Sequence, residues 1–205
     1  SNPMSAIQTS LELLSDEQDP EQQARLRATA ERGIQKLEST LAKVTEAASL
    51  EEALRDEDQH RFNVARITRD AVASIERTVS DRTWVTEISD ETIMILGNDL
   101  RFEQMLDKLL DNACDFTPEG GVITVGLSDQ INSVSLWVEN EGSSLQVQDR
   151  VDAFQMFSGT RNDSTGSHLG LGLYVVRLIT ESMGGQVAIG NTERGVRVEV
   201  TGLQA

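Results

Sequence analysis

Cysteine and histidine are almost missing from this chain of 205 residues, which holds one Cys and two His. A single thiol excludes an intrachain disulfide framework and a multi-cysteine zinc site, and two imidazoles leave little for a metal cluster. Proline is scarce, at 3, and no low-complexity tract is present, so the composition is not that of a disordered chain. No apolar run approaches the ~18 residues that a membrane span requires, and no signal-peptide pattern is visible. Basic residues are also in short supply: 18 Lys+Arg against 34 Asp+Glu give a net charge of −16. Such a surface repels phosphate backbones, which argues against nucleic acid as a partner. What remains is 38% hydrophobic residues, an ordinary globular share, in a length suited to one large domain or a small module plus a medium one.

The first fifty residues are helical in rhythm. Met4, Ile7, Leu11 and Leu14 recur at helical spacing, as do Leu26, Ala30, Ile34, Leu37, Leu41, Val44 and Ala48. Between them Ser15–Pro20 carries turn residues and a helix-start signal. Two antiparallel helices with narrow apolar seams cannot bury both faces alone, so the expected assembly is a dimeric four-helix bundle. Residues 51–61 are charged and suit a linker or a helix end. The rhythm then changes. Helices are expected over Val64–Val79, from an Asn98 or Asp99 cap to about Phe116, and over Leu171–Met183. Strands are expected at Thr83–Ile88, Thr92–Leu96, Val122–Leu127, Val134–Val138, Gln186–Ile189 and Val196–Val200. Helices interspersed with hairpin-linked strands predict an α+β fold: the helical hairpin, then a mixed sheet with helices on one face. The expected domains are 1–54, a linker at 55–61, and 62–205.

Three segments carry candidate chemistry. In Leu109–Pro118, Lys108, Asn112 and Asp115 form a polar stripe about 100° round the helix from the core stripe. Such a stripe is also what a plain solvated face looks like. In Val138-Glu139-Asn140-Glu141-Gly142, a glycine straight after a strand lets backbone approach a planar ligand, and Asn140 can donate and accept along its edge. A simple strand-end turn accounts for the same residues. In His168-Leu169-Gly170-Leu171-Gly172, two glycines open a helix and leave bare N–H groups at the positive end of its dipole, which suits a phosphate. A long glycine-dotted stretch precedes it, as a lid would.

Together, in this order and about 30 residues apart, the three segments resemble the N, G1 and G2 boxes of the histidine-kinase ATP-binding domain, with Phe154-Gln155-Met156-Phe157 at the place of its F box. Asn2-Pro3-Met4-Ser5-Ala6-Ile7 resembles the end of that family's H box, so the likeness covers essentially the whole chain. The resemblance implies a Bergerat-type α/β sandwich behind the dimerisation hairpin. It implies that Asn112 holds Mg²⁺ against the phosphates of ATP, an oxygen donor being a suitable hard-cation ligand. It places Phe116 beside adenine and Asn140 where the family has an acid that accepts from the adenine amino group. Gly142 matches a G1 glycine, and Gly170 and Gly172 match two G2 glycines, with Leu169 and Leu171 between and beside them. Asn2 matches a position that orients water for dephosphorylation of the partner regulator, a role its truncated helix would forfeit.

The sequence departs from the pattern at Asn140, at Ser144, at His168 in place of the first G2 glycine, and at Asp115, where a cation is usual. A carboxylate about 6 Å from a phosphate charge costs roughly 3 kcal/mol at an effective dielectric of 20, about a hundredfold in affinity. Lys108 is the candidate compensating cation. It also occupies the place where gyrase-type relatives have a water-activating glutamate, which disfavours free ATP hydrolysis. The phosphoacceptor histidine would fall ahead of Ser1, and neither His60 nor His168 has a matching context. The chain opens without Met and inside a pattern, which suggests a fragment.

The resemblance implies the cytoplasmic catalytic core of a sensor histidine kinase, an ATP-dependent protein histidine kinase of a two-component system. Its partners would be a second copy, through the hairpin, and a response-regulator receiver domain, and the parent protein would be anchored in the inner membrane. The alternative is a degenerate, non-catalytic module of the same family that regulates another kinase by dimerising with it.

Overall fold

The computed structural model describes residues 3–55, 57–88, 92–130, 132–155 and 171–205. The chain divides into two compact units, one containing Ser1–Leu50 and the other beginning at Glu51.

The first unit is a pair of helices, α1 (Pro3–Asp16) and α2 (Pro20–Ala53), the second continuing past the unit boundary. Asp19 starts α2: its carboxylate accepts from the Glu21 N–H at 3.0 Å, and Pro20 occupies the first helical position, where its missing N–H costs nothing. The two helices lie close at Gly33. A Cβ there would lie 2.6 Å from Cγ1 of Ile7 and 3.3 Å from the Pro3 carbonyl. Ala30, Ala47 and Leu50 are buried, whereas Met4, Leu11, Leu13, Ile34 and Leu41 stay exposed, Leu41 at 69%. The expected seam is thus only partly covered: Ala30 is buried and Ile7, Leu14, Leu26, Leu37 and Val44 are half-buried, while Met4, Leu11, Ile34, Leu41 and Ala48 face outward.

The second unit is an α/β sandwich. Its elements are β1 (His60–Asn63), α3 (Val64–Thr78), β2 (Thr83–Ile88), β3 (Met94–Gly97), α4 (Asp99–Phe116), β4 (Val122–Gln130), β5 (Ser133–Glu141), α5 (Val147–Asp152), α6 (Gly172–Ser182), β6 (Gln186–Asn191) and β7 (Gly195–Gln204). The main sheet has the order β2-β4-β5-β7-β6; β2–β4 is parallel and the other pairs are antiparallel. This is the expected mixed sheet. Period-two alternation turns Ile123, Val125 and Leu127 of β4, Val134, Leu136 and Val138 of β5, and Val198 and Val200 of β7 toward one buried layer. There they meet Phe102, Leu106 and Leu109 of α4 and Val176 and Ile179 of α6, all 1% exposed or less.

Two elements escape the sequence patterns. β1 pairs antiparallel with β3 in a separate two-stranded sheet, so His60 and Arg61, expected in the linker, sit opposite Gly97 and Leu96. α5 is too short to show a period. Helix starts follow the expected chemistry: Asn63 accepts from Arg66 N at 3.2 Å, and Asn98, rather than Asp99, accepts from Arg101 N at 3.1 Å.

Candidate nucleotide-binding site

The site is built where α4 ends, β5 ends and α6 begins. In β5 the inward-facing series Val134, Leu136, Val138 continues to Asn140, an amide only 4% exposed in an otherwise apolar row. Two residues on, Gly142 lies against the last turn of α4. A Cβ on it would stand 2.7 Å from the Phe116 carbonyl oxygen and 3.5 Å from Nδ2 of Asn140. Gly195 of β7 abuts the Asn140 carbonyl and lies 2.8 Å, measured from its would-be Cβ, from the Gly142 nitrogen, while Gly142 N donates to Arg194 O at 3.2 Å. Backbone thus closes on Asn140 from two sides, and Phe116, Asn140 and Gly142 come together as expected from their motifs.

α4 itself is held at this end. Thr117 caps it, its hydroxyl donating to Ala113 O at 2.6 Å, and Arg82 Nε donates to Thr117 O at 2.9 Å. The Phe116 ring is 47% exposed. Lys108 and Asn112, one turn apart, are part-exposed on the same flank of the helix, and Asp115 is exposed. Cys114 is half-buried; burial first, and then Asp115 and Asp111, push its thiol up to about 11. It is therefore protonated and unreactive at neutral pH.

α6 runs back along α4. Its C-terminal Met183 packs on Gly97, ahead of α4, with Sδ 2.8 Å from a would-be Cβ, and Thr180 Oγ1 donates to Met105 Sδ at 3.3 Å. From that contact Gly172 lies about 12 Å back along α6, and Asn112 about 10 Å along α4. Leu171, the residue before α6, is 6% exposed and makes no side-chain cap, so among the described residues no side chain caps the first N–H groups of the helix. A Cβ on Gly172 would meet nothing within 4 Å. Packing does not require glycine there, whereas close approach of a ligand would. Asn2, Leu169, Gly170, His168, Met156 and Phe157 lie outside the described residues.

Sequence patterns did not single out Gly195 or Asn191. The Asn191 amide clamps the segment after Gly142, accepting from Leu145 N at 2.9 Å and donating to Leu145 O at 3.0 Å. Both residues read as ordinary hairpin-turn residues, and only the strand order places Gly195 beside β5 and brings Asn191 to Leu145 beyond its end. Among the described residues no group of three or more His, Cys, Asp or Glu is placed to hold a metal ion. A cation here would depend on Asn112 and on oxygens brought by its ligand, the pattern typical of Mg²⁺.

Residues 97–203, which contain α4, β5 and α6, match the family described as histidine kinase-, DNA gyrase B- and HSP90-like ATPase. The chain belongs to that family. This ATPase-family chain is 24% identical over 198 residues to the sensor protein kinase PmrB of Pseudomonas aeruginosa, covering 97% of itself and 42% of the relative. It is 25% identical over 202 residues to the sensor protein ChvG of Rhizobium meliloti, covering 93% of itself and 35% of the relative. It therefore spans about two fifths of the length of these curated relatives, or less. Among solved structures, the catalytic domain of histidine kinase ThkA aligns with a TM-score of 0.66 at 24% identity, over 72% of this chain and 99% of that one. The Acinetobacter baumannii histidine kinase AdeS aligns at 0.65 and 19%, over 98% and 95%. Full-length ShkA in complex with AMPPNP aligns at 0.70 and 21%, over 100% and 47%. The fold is that of histidine kinase catalytic domains, preceded by a helical region. No helix among the described residues is long and apolar enough to cross a membrane.

Proposed function

We propose that this chain is the nucleotide-binding catalytic core of a sensor histidine kinase, which binds Mg-ATP and passes the γ-phosphoryl to a histidine and then to a response regulator. The observation that carries the proposal is Asn140: a buried amide ending an apolar row, enclosed by glycine backbone, beside an exposed aromatic ring. That is a slot for a planar, hydrogen-bonding base. The Asn140 oxygen accepts from the adenine amino group, and Phe116 covers one face of the ring. The uncapped N–H groups at Leu171–Gly172, with Leu169 and Gly170 ahead of them, take the phosphates.

Mg²⁺ neutralises charge on the phosphoryl groups, and Asn112 is the side chain that holds it. Lys108, one turn earlier, supplies the cation that offsets Asp115. No carboxylate stands one turn before Asn112 to activate water, which favours transfer over hydrolysis. His60 is not the acceptor. His60 is held in β1 by Asp99 at 3.4 Å and lies against Phe62, with ring centroids 5.9 Å apart. Positioning and charge neutralisation supply the catalysis.

The exposed Met4, Leu11, Ile34 and Leu41 are the surface through which two copies form a four-helix bundle, which a response-regulator receiver domain then engages. The two domains are residues 1–54 and 62–205. The hinge between them falls in the expected linker at 55–61, whose second part is tied to the 62–205 domain: Glu57 pairs with Arg101, and Gln59 Nε2 donates to Ser182 O at 3.3 Å. The catalytic core is cytoplasmic, and the longer protein is anchored in the inner membrane.

Calorimetric titration with a non-hydrolysable ATP analogue, with and without Mg²⁺, tests the proposal. Micromolar, Mg²⁺-dependent binding that Asn112→Ala abolishes is expected. Absence of binding at millimolar analogue would overturn it in favour of a non-catalytic module that regulates another kinase, the reading that the departures at Asn140 and Asp115 would then support.

A further inference from the structure

α4 has a second polar flank. Glu103, Asp107 and Asp111 recur one turn apart on it, and Asn112 lies about 140° round the helix from Asp107. This flank faces α3 across a groove of about 540 Å³. The floor is apolar, formed by Ile67, Ile75 and Leu110; the rim carries Asp70 from α3 with the three carboxylates of α4, and Arg66 is the one basic residue among the described lining. All four carboxylates are exposed.

The arrangement is locally unfavourable. Like charges one turn apart destabilise a helix, and burial together with Asp111 raises the Asp107 carboxyl above its ordinary range, with Lys108 opposing. A fold that needed only a solvated surface here would gain by alternating the signs. A cluster that costs local stability around an apolar trough suits a surface completed by opposite charge. Charge also decides the occupant. With a net charge of −16, the chain repels nucleic acid, an anionic bilayer and a second copy of itself at this face. A cationic protein segment gains from the same field.

We propose that the α3–α4 groove docks a basic amphipathic segment of a protein partner, its aliphatic side chains on Ile67, Ile75 and Leu110 and its Lys or Arg heads on Asp70, Glu103, Asp107 and Asp111. The proposal does not rest on nucleotide binding, since the groove lies on the other flank of α4. Occupation would brace the helix that carries Asn112, so the surface is also placed to influence the site.

The test titrates the isotopically labelled chain, at physiological salt, with a 14-residue peptide of Leu and Lys at amphipathic helical spacing, and with its Leu/Glu counterpart. Amide shifts and fluorescence anisotropy are followed together. The expected result is saturable binding of the Lys peptide alone, with shifts confined to α3 and the facing flank of α4. Glu103→Lys/Asp107→Lys should weaken it at least tenfold, whereas Asp129→Lys/Glu193→Lys, a double reversal at exposed sites elsewhere, should weaken it less than twofold. Glu103→Gln/Asp107→Asn guards against misfolding: it removes the charges conservatively and should keep the native spectrum while losing affinity. Shifts scattered over other faces, or equal weakening by the two charge reversals, would reduce the effect to general attraction for a polyanion and overturn the proposal.

Discussion

Gly142 and Phe116 are locked against one another: a single added carbon on the glycine would stand 2.7 Å from the Phe116 carbonyl oxygen. This contact joins the end of β5 to the end of α4, and so fixes the spacing between the Asn140 amide and the aromatic ring. Neither partner can move without the other.

Gly142→Ala is therefore expected to do two things. The overpacked methyl should cost about 1–3 kcal/mol of stability, and it should open the slot enough to weaken the ATP analogue more than tenfold. Urea unfolding and calorimetry read the two effects. Unchanged affinity in a folded variant would show that this contact does not shape the binding slot.

Asn140→Asp tests whether the buried amide reads the base. A carboxylate in a position 4% exposed, without a partner, should cost the ligand-free chain about 1–3 kcal/mol. Adenine nucleotide supplies the missing donor, so the rise in Tm on adding the analogue should be larger in the variant than in the parent. An equal rise, or one matched by a guanine nucleotide, would contradict the assignment.

Glu57 and Arg101 form the tie between the start of the second unit and α4. Nε of Arg101 donates to Oε1 of Glu57 at 2.6 Å, and the pair is largely enclosed, its side chains 21% and 27% exposed. The hydrogen bond to Glu57 is the main reason the guanidinium is raised above its usual value. A double-mutant cycle with Glu57→Gln and Arg101→Met should show a coupling of about 1 kcal/mol. Loss of the pair should also speed amide exchange in β1. A coupling near zero, with β1 exchange unchanged, would mean that the tie does not hold the linker.

The Asp107 carboxyl titrates above its ordinary value of 3.8, through burial first and Asp111 second. Because the folded state holds its proton more tightly than the unfolded chain, the favourable contribution is full below the unfolded value. It is lost as pH rises through the raised one. At neutral pH Asp107→Asn should therefore gain a few tenths of a kcal/mol, small because the group is exposed and screened. The gain should vanish below pH 3.8. Urea midpoints across that range decide it; a loss of stability at pH 7 would reverse the sign.

Much of the fold was legible because local patterns carried it. Asn63 and Asn98 mark helix starts by supplying an acceptor to a bare N–H, and the alternation in β4 and β5 fixes which side of each strand is buried. The three motif segments single out Asn112, Phe116, Asn140 and Gly142 as candidates by residue type and spacing, and the structure brings Phe116, Asn140 and Gly142 together. β1 was not legible, because four residues with no alternation acquire strand geometry only from pairing with β3. The close contacts of Gly195 and the Asn191 clamp on Leu145 were hidden for a related reason: their partners are distant in the chain.

In the helical pair, periodicity marked the apolar positions but could not divide them between α1–α2 packing and the outward face. The structure shows part of it: the absence of a side chain at Gly33 lets Ile7 approach, while Ile34 and Leu41 stay exposed. Residue type and spacing are properties of the chain and fix hydrogen-bonding capacity, charge and helical face. Which groups share a cavity depends on the order of strands and the direction of α6 along α4. Those are set by cooperative packing of distant segments, and they alone place Asn140 beside Phe116 and gather the carboxylates of α3 and α4 around one groove.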